Sequence, residues 1–270
     1  MVFDGKKIRD EIMSDLADRI LKLGREPVLA AIWLGNDEVT SKYVQIKQRM
    51  AEKLGIHFDI VKFDAKTSQN EVIERISELN RDDKVDGVMV QMPLPKNFDS
   101  MKIIEAIDAK KDVDGLRYCA NLTCGFFPPV IGSIILAMEM ADKSVYDKKI
   151  TVIGRGFLVG SPLIRYLKDK TDQIRIGDST TPYLGTITLD ADVVISAVGK
   201  PKLISANMVK DGVVLIDAGT SEAGGALAGD IDPAAYSKAS FYTPTPGGIG
   251  PVTVAMLFRN LVEAAERRGN

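Results

Sequence analysis

Apolar residues recur at every fourth position near the start of the chain. Ile8, Ile12, Leu16 and Ile20 form one stripe within residues 4–23, which predicts an amphipathic helix. Val28-Leu29-Ala30-Ala31-Ile32-Trp33-Leu34 is an unbroken apolar run ended by Gly35-Asn36, the pattern of a buried strand and its turn. Helical spacing returns over 38–54 and stops at Gly55, a C-terminal cap. Ile56–Phe63 alternates as a second strand. Ser68 and Glu71 have the spacing of a capping box, opening a helix to about Leu79. Gly87-Val88-Met89-Val90-Gln91-Met92 reads as a third strand, closed by Pro93-Leu94-Pro95. Residues 112–130 look like a linker. Beyond it, Lys149–Ile153, 173–177, 192–198, 213–217 and 239–242 read as strands. Helices are expected from Gly160 to about Leu167 and from Val252 to about Arg267, with Pro251 at the first position of the latter. This β-α-β rhythm predicts mostly parallel sheets covered by helices, an α/β fold.

Composition narrows the function classes. At about 150 residues per domain, 270 residues suggest two domains. The 35 basic and 37 acidic residues create no global positive field, which argues against nucleic acid and anionic membrane as partners. The single histidine, His57, leaves no room for a multi-His metal site, and its alternating strand predicts a solvent-facing residue. No metal is expected. Cys119 and Cys124 have no second pair, so zinc and a disulfide scaffold are both disfavoured. The segment Met1-Val2-Phe3-Asp4-Gly5-Lys6-Lys7 lacks the apolar core of a secretory signal, and no run reaches the roughly 18 apolar residues of a spanning helix. A cytoplasmic protein is the expectation.

Gly154-x-Gly156-x-x-x-Gly160 lies between a predicted strand and a predicted helix, the context in which a glycine loop binds a pyrophosphate. Gly154 permits the turn, Gly156 opens the backbone to phosphate, and Gly160 lets the helix pack closely. The next strand ends at Gly177-Asp178-Ser179-Thr180-Thr181. A carboxylate there suits the ribose of NAD, whereas Arg155 and Ser179 suit the 2′-phosphate of NADP; on chemistry alone both stand. Tyr43 and Lys47 are one helical turn apart, an aromatic plate beside an amine that burial could turn into a base. Ordinary surface helices carry such pairs too.

Four further segments add weight: Gln91-Met92-Pro93-Leu94-Pro95, Lys111-Asp112-Val113-Asp114-Gly115, Ala197-Val198-Gly199-Lys200-Pro201, and Thr243-Pro244-Thr245-Pro246-Gly247-Gly248-Ile249-Gly250-Pro251-Val252-Thr253. In this order they resemble the bifunctional methylenetetrahydrofolate dehydrogenase/methenyltetrahydrofolate cyclohydrolase (FolD) family, from Asp4-Gly5-Lys6 to the last helix. The resemblance implies two α/β domains with a cleft between them, the second a Rossmann-like dinucleotide-binding domain. It places a folate-binding catalytic domain at 1–120 and the NAD(P)-binding domain at 140–245, with the C-terminal helix 251–270 packing back on the first. It implies oxidation of 5,10-methylenetetrahydrofolate to the methenyl form and hydrolysis of that to 10-formyltetrahydrofolate. By residue, it implies Lys47, Tyr43 and Gln91 as the catalytic group, with Tyr43 also stacking on the folate. Asp114, Pro246, Gly247 and Gly248 would contact substrate. Gly154, Arg155, Gly156, Val159, Gly160, Asp178, Ser179 and Thr220 would line the cofactor, expected to be NADP with NAD the alternative. A homodimer and a place in purine biosynthesis are also implied.

The chain departs from the family pattern in the stretch Cys124-Gly125-Phe126-Phe127-Pro128-Pro129-Val130-Ile131-Gly132, which is shorter than usual and lacks Pro-Cys-Thr-Pro, and at the cofactor positions. Gly156 stands where Ser is common. Asp178 replaces a common His, and Asp217-Ala218-Gly219-Thr220-Ser221 differs from Asp-Val-Gly-Ile-Asn. The chemistry suits a chain with one histidine. Hydride loss from a carbon between two nitrogens leaves a delocalised cation and no proton to remove, so positioning suffices. Water addition is the step that gains from a base, and Lys47 is the candidate. Two rivals are a dehydrogenase of the shikimate or amino-acid kind, which would need a Lys–Asp pair acting on a hydroxyl or amine, and a non-catalytic dinucleotide binder, which has no use for the lysine.

Overall fold

A computed structural model gives the fold. It describes residues 1–35, 38–64, 66–223 and 226–269; the side chains of 36–43, 222–226 and 269 lie outside that description. By its contacts the chain divides into two units. The first comprises Asp10–Pro129 and Val254–Asn270, the second Met1–Arg9 and Val130–Thr253.

The first unit runs α1 (Gly5–Leu23, its opening residues in the second unit), β1 (Val28–Leu34), α2 (Glu38–Leu54), β2 (His57–Phe63), α3 (Gln69–Arg81), β3 (Gly87–Val90), α4 (Ser100–Ala106) and α5 (Leu116–Cys119). Its parallel sheet has the order β2-β1-β3. The apolar run of β1 exists because both faces of this central strand are covered. Leu29 and Ala31 join Leu16 and Ile20 of α1 with Ala51 and Leu54 of α2. Ala30 and Ile32 join Val72, Ile76 and Leu79 of α3 with Ile103 and Ile104 of α4. The helix ends follow the expected chemistry. Gly55, at φ +67°, closes α2, with Ile56 N–H donating to Ala51 O at 3.0 Å. Ser68 and Glu71 form both bonds of the capping box. His57 is exposed at the start of β2.

Residues 112–130 correct the linker expectation. Asp112, Val113, Leu116, Cys119 and Phe126 are buried, and Asn260 Nδ2 donates to Val113 O at 2.8 Å and Phe127 O at 2.9 Å. Side chains satisfy the irregular backbone, so the segment packs without regular periodicity. β3 is two residues shorter than expected. Gln91 N–H still donates to Ile32 O at 2.8 Å, but the cis Met92–Pro93 bond turns the chain away.

The second unit continues with α6 (Pro129–Ala141), β4 (Ile150–Ile153), α7 (Gly160–Lys168), β5 (Ile174–Gly177), α8 (Gly185–Thr188), β6 (Val193–Ser196), β7 (Val213–Asp217), a short hairpin of β8 (Ser221–Ala223) and β9 (Ala226–Ala228), and β10 (Ala239–Tyr242). α6 is an addition to the expected elements: Pro129-Val130-Ile131-Gly132-Ser133-Ile134-Ile135-Leu136-Ala137 is apolar all round and shows no stripe. The main sheet is parallel, in the order β10-β7-β6-β4-β5. From β4 the chain moves outward to β5, then returns to β6 on the other side. That reversal makes β4/β6 the switch point, where the loops beyond the strands part. The N-terminus pairs beside β10, with Phe3 N–H donating to Tyr242 O at 2.9 Å and Gly5 N–H to Gly247 O at 2.9 Å. Asp4-Gly5-Lys6 is thus tied to the glycine-rich turn before α9 (Ile249–Gly269).

α9 starts at Ile249, three residues before the expected Val252, which puts Pro251 third in its first turn. First-turn N–H groups have no intrahelical partner, so proline is tolerated there. From Val254 the helix belongs to the first unit, where Leu257, Phe258, Leu261 and Val262 complete the core of α1 and α2. Arg268 and Arg25 together clamp the buried Asp86 at 2.7–2.8 Å. Among the described residues, no helix is long and apolar enough to cross a membrane.

Candidate active site

Lys47 lies on the buried stripe of α2. Val44, Ala51 and Leu54 are covered, and position 47 falls one turn after 44 on the same face. Its stem is therefore carried toward β3, where Nζ donates to Gln91 Oε1 at 3.2 Å and lies 3.9 Å from Met89 Sδ. Gln91 is oriented by the backbone of the next residue. Its Nε2 donates to Met92 O at 3.0 Å, which leaves Oε1 facing the lysine. Loss of hydration around the ammonium lowers the Lys47 pKa below its ordinary value, and the charge of Asp114 partly opposes this. Tyr43 is one turn earlier on α2; its side chain lies outside the described residues.

The segment 111–115 presents one carboxylate by burying its neighbours. Lys111 Nζ donates to Leu79 O at 2.9 Å and Asp82 O at 2.7 Å, capping the end of α3. Asp112, fully buried, accepts the N–H groups of Leu116 and Arg117 at 3.1 and 2.7 Å. Desolvation pushes its pKa up to about 6, with those bonds acting against the shift. Val113 is in the core, and Gly115 turns at φ +66°. Asp114 remains half-buried, within electrostatic reach of Lys47. Lys47, Gln91 and Asp114 thus come together in the first unit, from α2, the residue just after β3 and the segment before α5. Pro246, Gly247 and Gly248 stand in the second unit, exposed, half-buried and buried respectively.

The second unit gathers the predicted cofactor residues at the carboxyl ends of its strands. Gly154 follows β4 at φ +104°, and a Cβ there would lie 2.6 Å from Ala197 O. No other residue fits that turn. Gly160 opens α7 against the same turn, and a Cβ would overlap Gly154 O. At Gly156 a Cβ would meet nothing, and the turn is exposed. Val159 leads into α7 with no side chain capping the helix. This combination, an open glycine turn before an uncapped helix N-terminus, fits a pyrophosphate. Beyond β5, Asp178 Oδ2 is 3.1 Å from Arg155 Nε, and its Oδ1 accepts Thr180 N–H at 2.9 Å and Thr180 Oγ1–H at 2.6 Å. The Thr180 bonds, then the Arg155 charge, hold the Asp178 pKa below the usual carboxylate range. Ser179 and Thr220 are exposed. Among the described residues, no group of His, Cys, Asp and Glu could hold a metal ion.

Sequence reasoning misses four buried acids, one of them the Asp86 held by Arg25 and Arg268. Asp112 was not singled out within its own motif, and Asp217 and Asp230 are likewise buried, at the end of β7 and in the segment after β9. The only signal for Asp217 was an aspartate directly after four apolar strand residues.

One unit carries a glycine turn at the switch point of a parallel sheet and the other buries a lysine against an amide; the class is a two-domain NAD(P)-binding α/β enzyme. Two family models cover most of the chain: tetrahydrofolate dehydrogenase/cyclohydrolase, catalytic domain, over residues 3–114, and the NAD(P)-binding domain of the same name over 128–269. The bifunctional protein FolD of Moorella thermoacetica is 39% identical over 98% of this chain and 99% of its own. Among solved structures, the Campylobacter jejuni FolD methylenetetrahydrofolate dehydrogenase/cyclohydrolase superposes with a TM-score of 0.92 at 32% identity, covering 99% of both chains. The Trypanosoma brucei FolD, complexed with NADP cofactor and inhibitor, gives 0.91 at 28% identity over 99% of this chain and 97% of its own. The chain belongs to the tetrahydrofolate dehydrogenase/cyclohydrolase family, and it is a bifunctional methylenetetrahydrofolate dehydrogenase and methenyltetrahydrofolate cyclohydrolase.

Proposed function

We propose that Lys47 moves the proton in the cyclohydrolase step, with Gln91 holding its amine and with Tyr43 and Asp114 holding the folate. The observation that carries this is the Lys47 Nζ–Gln91 Oε1 bond of 3.2 Å at an ammonium whose pKa burial has lowered. A lowered pKa raises the fraction of neutral amine near neutral pH, which is the form that accepts a proton. As water adds to the methenyl carbon, Nζ takes one of its protons. The resulting ammonium then donates to the ring nitrogen as its bond to that carbon breaks, and the carbinol proton leaves to solvent as the formyl group forms. Oxidation of the methylene carbon requires no base, because hydride loss leaves a cation spread over two nitrogens. For that step the chain supplies position only.

The cofactor in this reading is NADP, whose nicotinamide supplies the acceptor for the hydride. Its pyrophosphate would lie on the Gly154–Gly160 turn and its 2′-phosphate by Arg155 and Ser179. Arg155 is 57% exposed and engaged by Asp178 through Nε, and Ser179 is exposed beside it. The Trypanosoma brucei relative with NADP bound supports the choice. Asp178 weakens it by placing a negative charge at the same corner. Pro246, Gly247 and Gly248 are assigned to substrate by the family motif alone.

Lys47→Met tests the central assignment. Hydrolysis of methenyltetrahydrofolate should fall by about 10²–10⁴-fold, while oxidation of methylenetetrahydrofolate persists. In the parent, the hydrolysis rate should climb with pH around a midpoint below the ordinary lysine value of 10.5. Undiminished hydrolysis by the methionine variant would remove Lys47 from the mechanism.

A further inference from the structure

Two carboxylates, one ending β7 and one in the segment after β9, are buried without forming part of the site described so far: Asp217 is 1% exposed and Asp230 is 0%. Asp217, the last residue of β7, accepts the N–H groups of Gly219 and Asp230 at 3.1 Å and of Ile231 at 3.0 Å. Asp230 is thereby fixed at its backbone. Its side chain reaches the end of β6 and the turn beyond it: Oδ2 accepts Ser196 Oγ–H at 2.8 Å and Val198 N–H at 2.7 Å, and Oδ1 accepts Lys200 N–H at 2.7 Å. The sequence leaves room for both groups. A Cβ at Gly219 would overlap the Asp230 carboxylate, and one at Gly229 would overlap Asp217 Oδ2. Burying two acids among backbone amides is costly, and desolvation together with Asp230 pushes Asp217 up to about 7. Neutral residues could cover a turn without that cost.

The turn so held, Ala197-Val198-Gly199-Lys200, adjoins the glycine turn, since Ala197 O is the atom that a Cβ on Gly154 would strike. A dinucleotide lies across the switch point with its pyrophosphate at the turn after β4. With its adenosine end at Asp178 after β5, its other nucleoside falls on the β6 side. There Val198, a residue 45% exposed, offers an apolar surface for a planar ring. We propose that Asp230 is a positioning residue for the dehydrogenase step: by gripping the N–H groups of Val198 and Lys200 it fixes the 197–200 turn against which the nicotinamide lies. This rests on the nucleotide site proposed above. Asp230 acts through the turn and has no contact with the reacting atoms.

The test uses both activities of the full chain. Asp230→Ala removes all three bonds. Asp230→Asn keeps an acceptor for Ser196 and Val198 but turns an NH₂ toward Lys200 N–H. Gly219→Ala leaves the carboxylate in the chain and displaces it, so the series does not depend on Asp230→Ala folding. The dehydrogenase kcat should fall about 100-fold in Asp230→Ala and Gly219→Ala, and less in Asp230→Asn. The KM for NADP should barely change, and hydrolysis of methenyltetrahydrofolate should stay at the parent rate. A full dehydrogenase kcat in Asp230→Asn and Gly219→Ala overturns the proposal, and so does a proportional loss of both activities. Gly160→Ala separates the two levels. If it weakens NADP use while the Asp230 variants keep full kcat, the nucleotide site stands and Asp230 is only structural. If it leaves NADP use intact, the nucleotide site falls, and the role of Asp230 falls with it.

Discussion

Gly160→Ala is the sharpest perturbation of the dinucleotide turn. The added methyl would overlap Gly154 O and lie 2.7 Å from Gly154 C and 2.9 Å from Arg155 N. Carbon contacts are comfortable at about 3.5–4.0 Å, so the turn must retreat by roughly 1 Å. All three atoms are backbone, and no side chain can rotate aside. Overpacking of this kind costs about 1–3 kcal/mol, which lowers Tm by roughly 2–4 °C per kcal/mol in a chain of this size. A 1 Å displacement of groups that position a reactant costs about 100-fold in rate. The assay follows NADPH formation at varied NADP and, separately, loss of methenyltetrahydrofolate without nucleotide. The expected result is a kcat/KM for NADP reduced about 100-fold beside unchanged hydrolysis. Gly156→Ala is the control, because the same methyl there meets no protein atom and Tm should not move. Parent-like NADP kinetics in Gly160→Ala would refute the reasoning, as would parallel loss of hydrolysis.

Three other outcomes follow from the same geometry. Asp178→Ser removes the negative charge 3.1 Å from Arg155 Nε, so the NADP-to-NAD ratio of kcat/KM should rise by up to about fivefold; a shift toward NAD contradicts this. Asp86→Ala leaves Arg25, Arg268 and Val28 N–H without their shared acceptor and should cost about 3 kcal/mol in urea unfolding, the low end for a broken buried pair because both arginines are partly exposed; a loss under about 1 kcal/mol, the scale of a surface pair, would mean the clamp is idle. Asp217 and Asp112, raised to about 7 and about 6, bind protons in the folded state that the unfolded chain has already released above its ordinary value of 3.8. Their contribution is therefore full below pH 3.8 and lost as pH rises through 6 to 7, on the order of 4 kcal/mol for Asp217. Thermal unfolding should accordingly occur at a higher temperature at pH 5.5 than at pH 8, and a Tm that climbs across that interval is the contrary result.

The elements legible in the sequence are those whose burial follows one period. β1, β4 and β7 are apolar because neighbours cover both faces, and α1 and α3 carry stripes because one face meets a sheet. α6 escaped because an all-apolar helix has no stripe. The 112–130 segment escaped because Asn260, from far along the chain, satisfies its carbonyls. The site divides in the same way. The glycine turn was readable because its chemistry is local, whereas Lys47 and Gln91 meet only through the crossover between α2 and β3. Their pairing came from family resemblance and not from spacing. Nothing local marks Asp230, whose partners lie some thirty residues earlier in the sequence.

Because residues of α9 from Val254 onward complete the core begun by α1 and α2, the order of synthesis and the order of completion differ. During translation the first unit emerges early but lacks Leu257, Phe258 and Leu261 against its sheet, Asn260 for its 112–130 backbone, and Arg268 for Asp86. The second unit, inserted between its halves, has its whole sheet before α9 is made. The lysine-bearing unit is thus an open substrate for chaperones and proteases until the last helix leaves the ribosome, and a chain cut at Thr253 would keep its parallel five-stranded sheet while exposing that unfinished core.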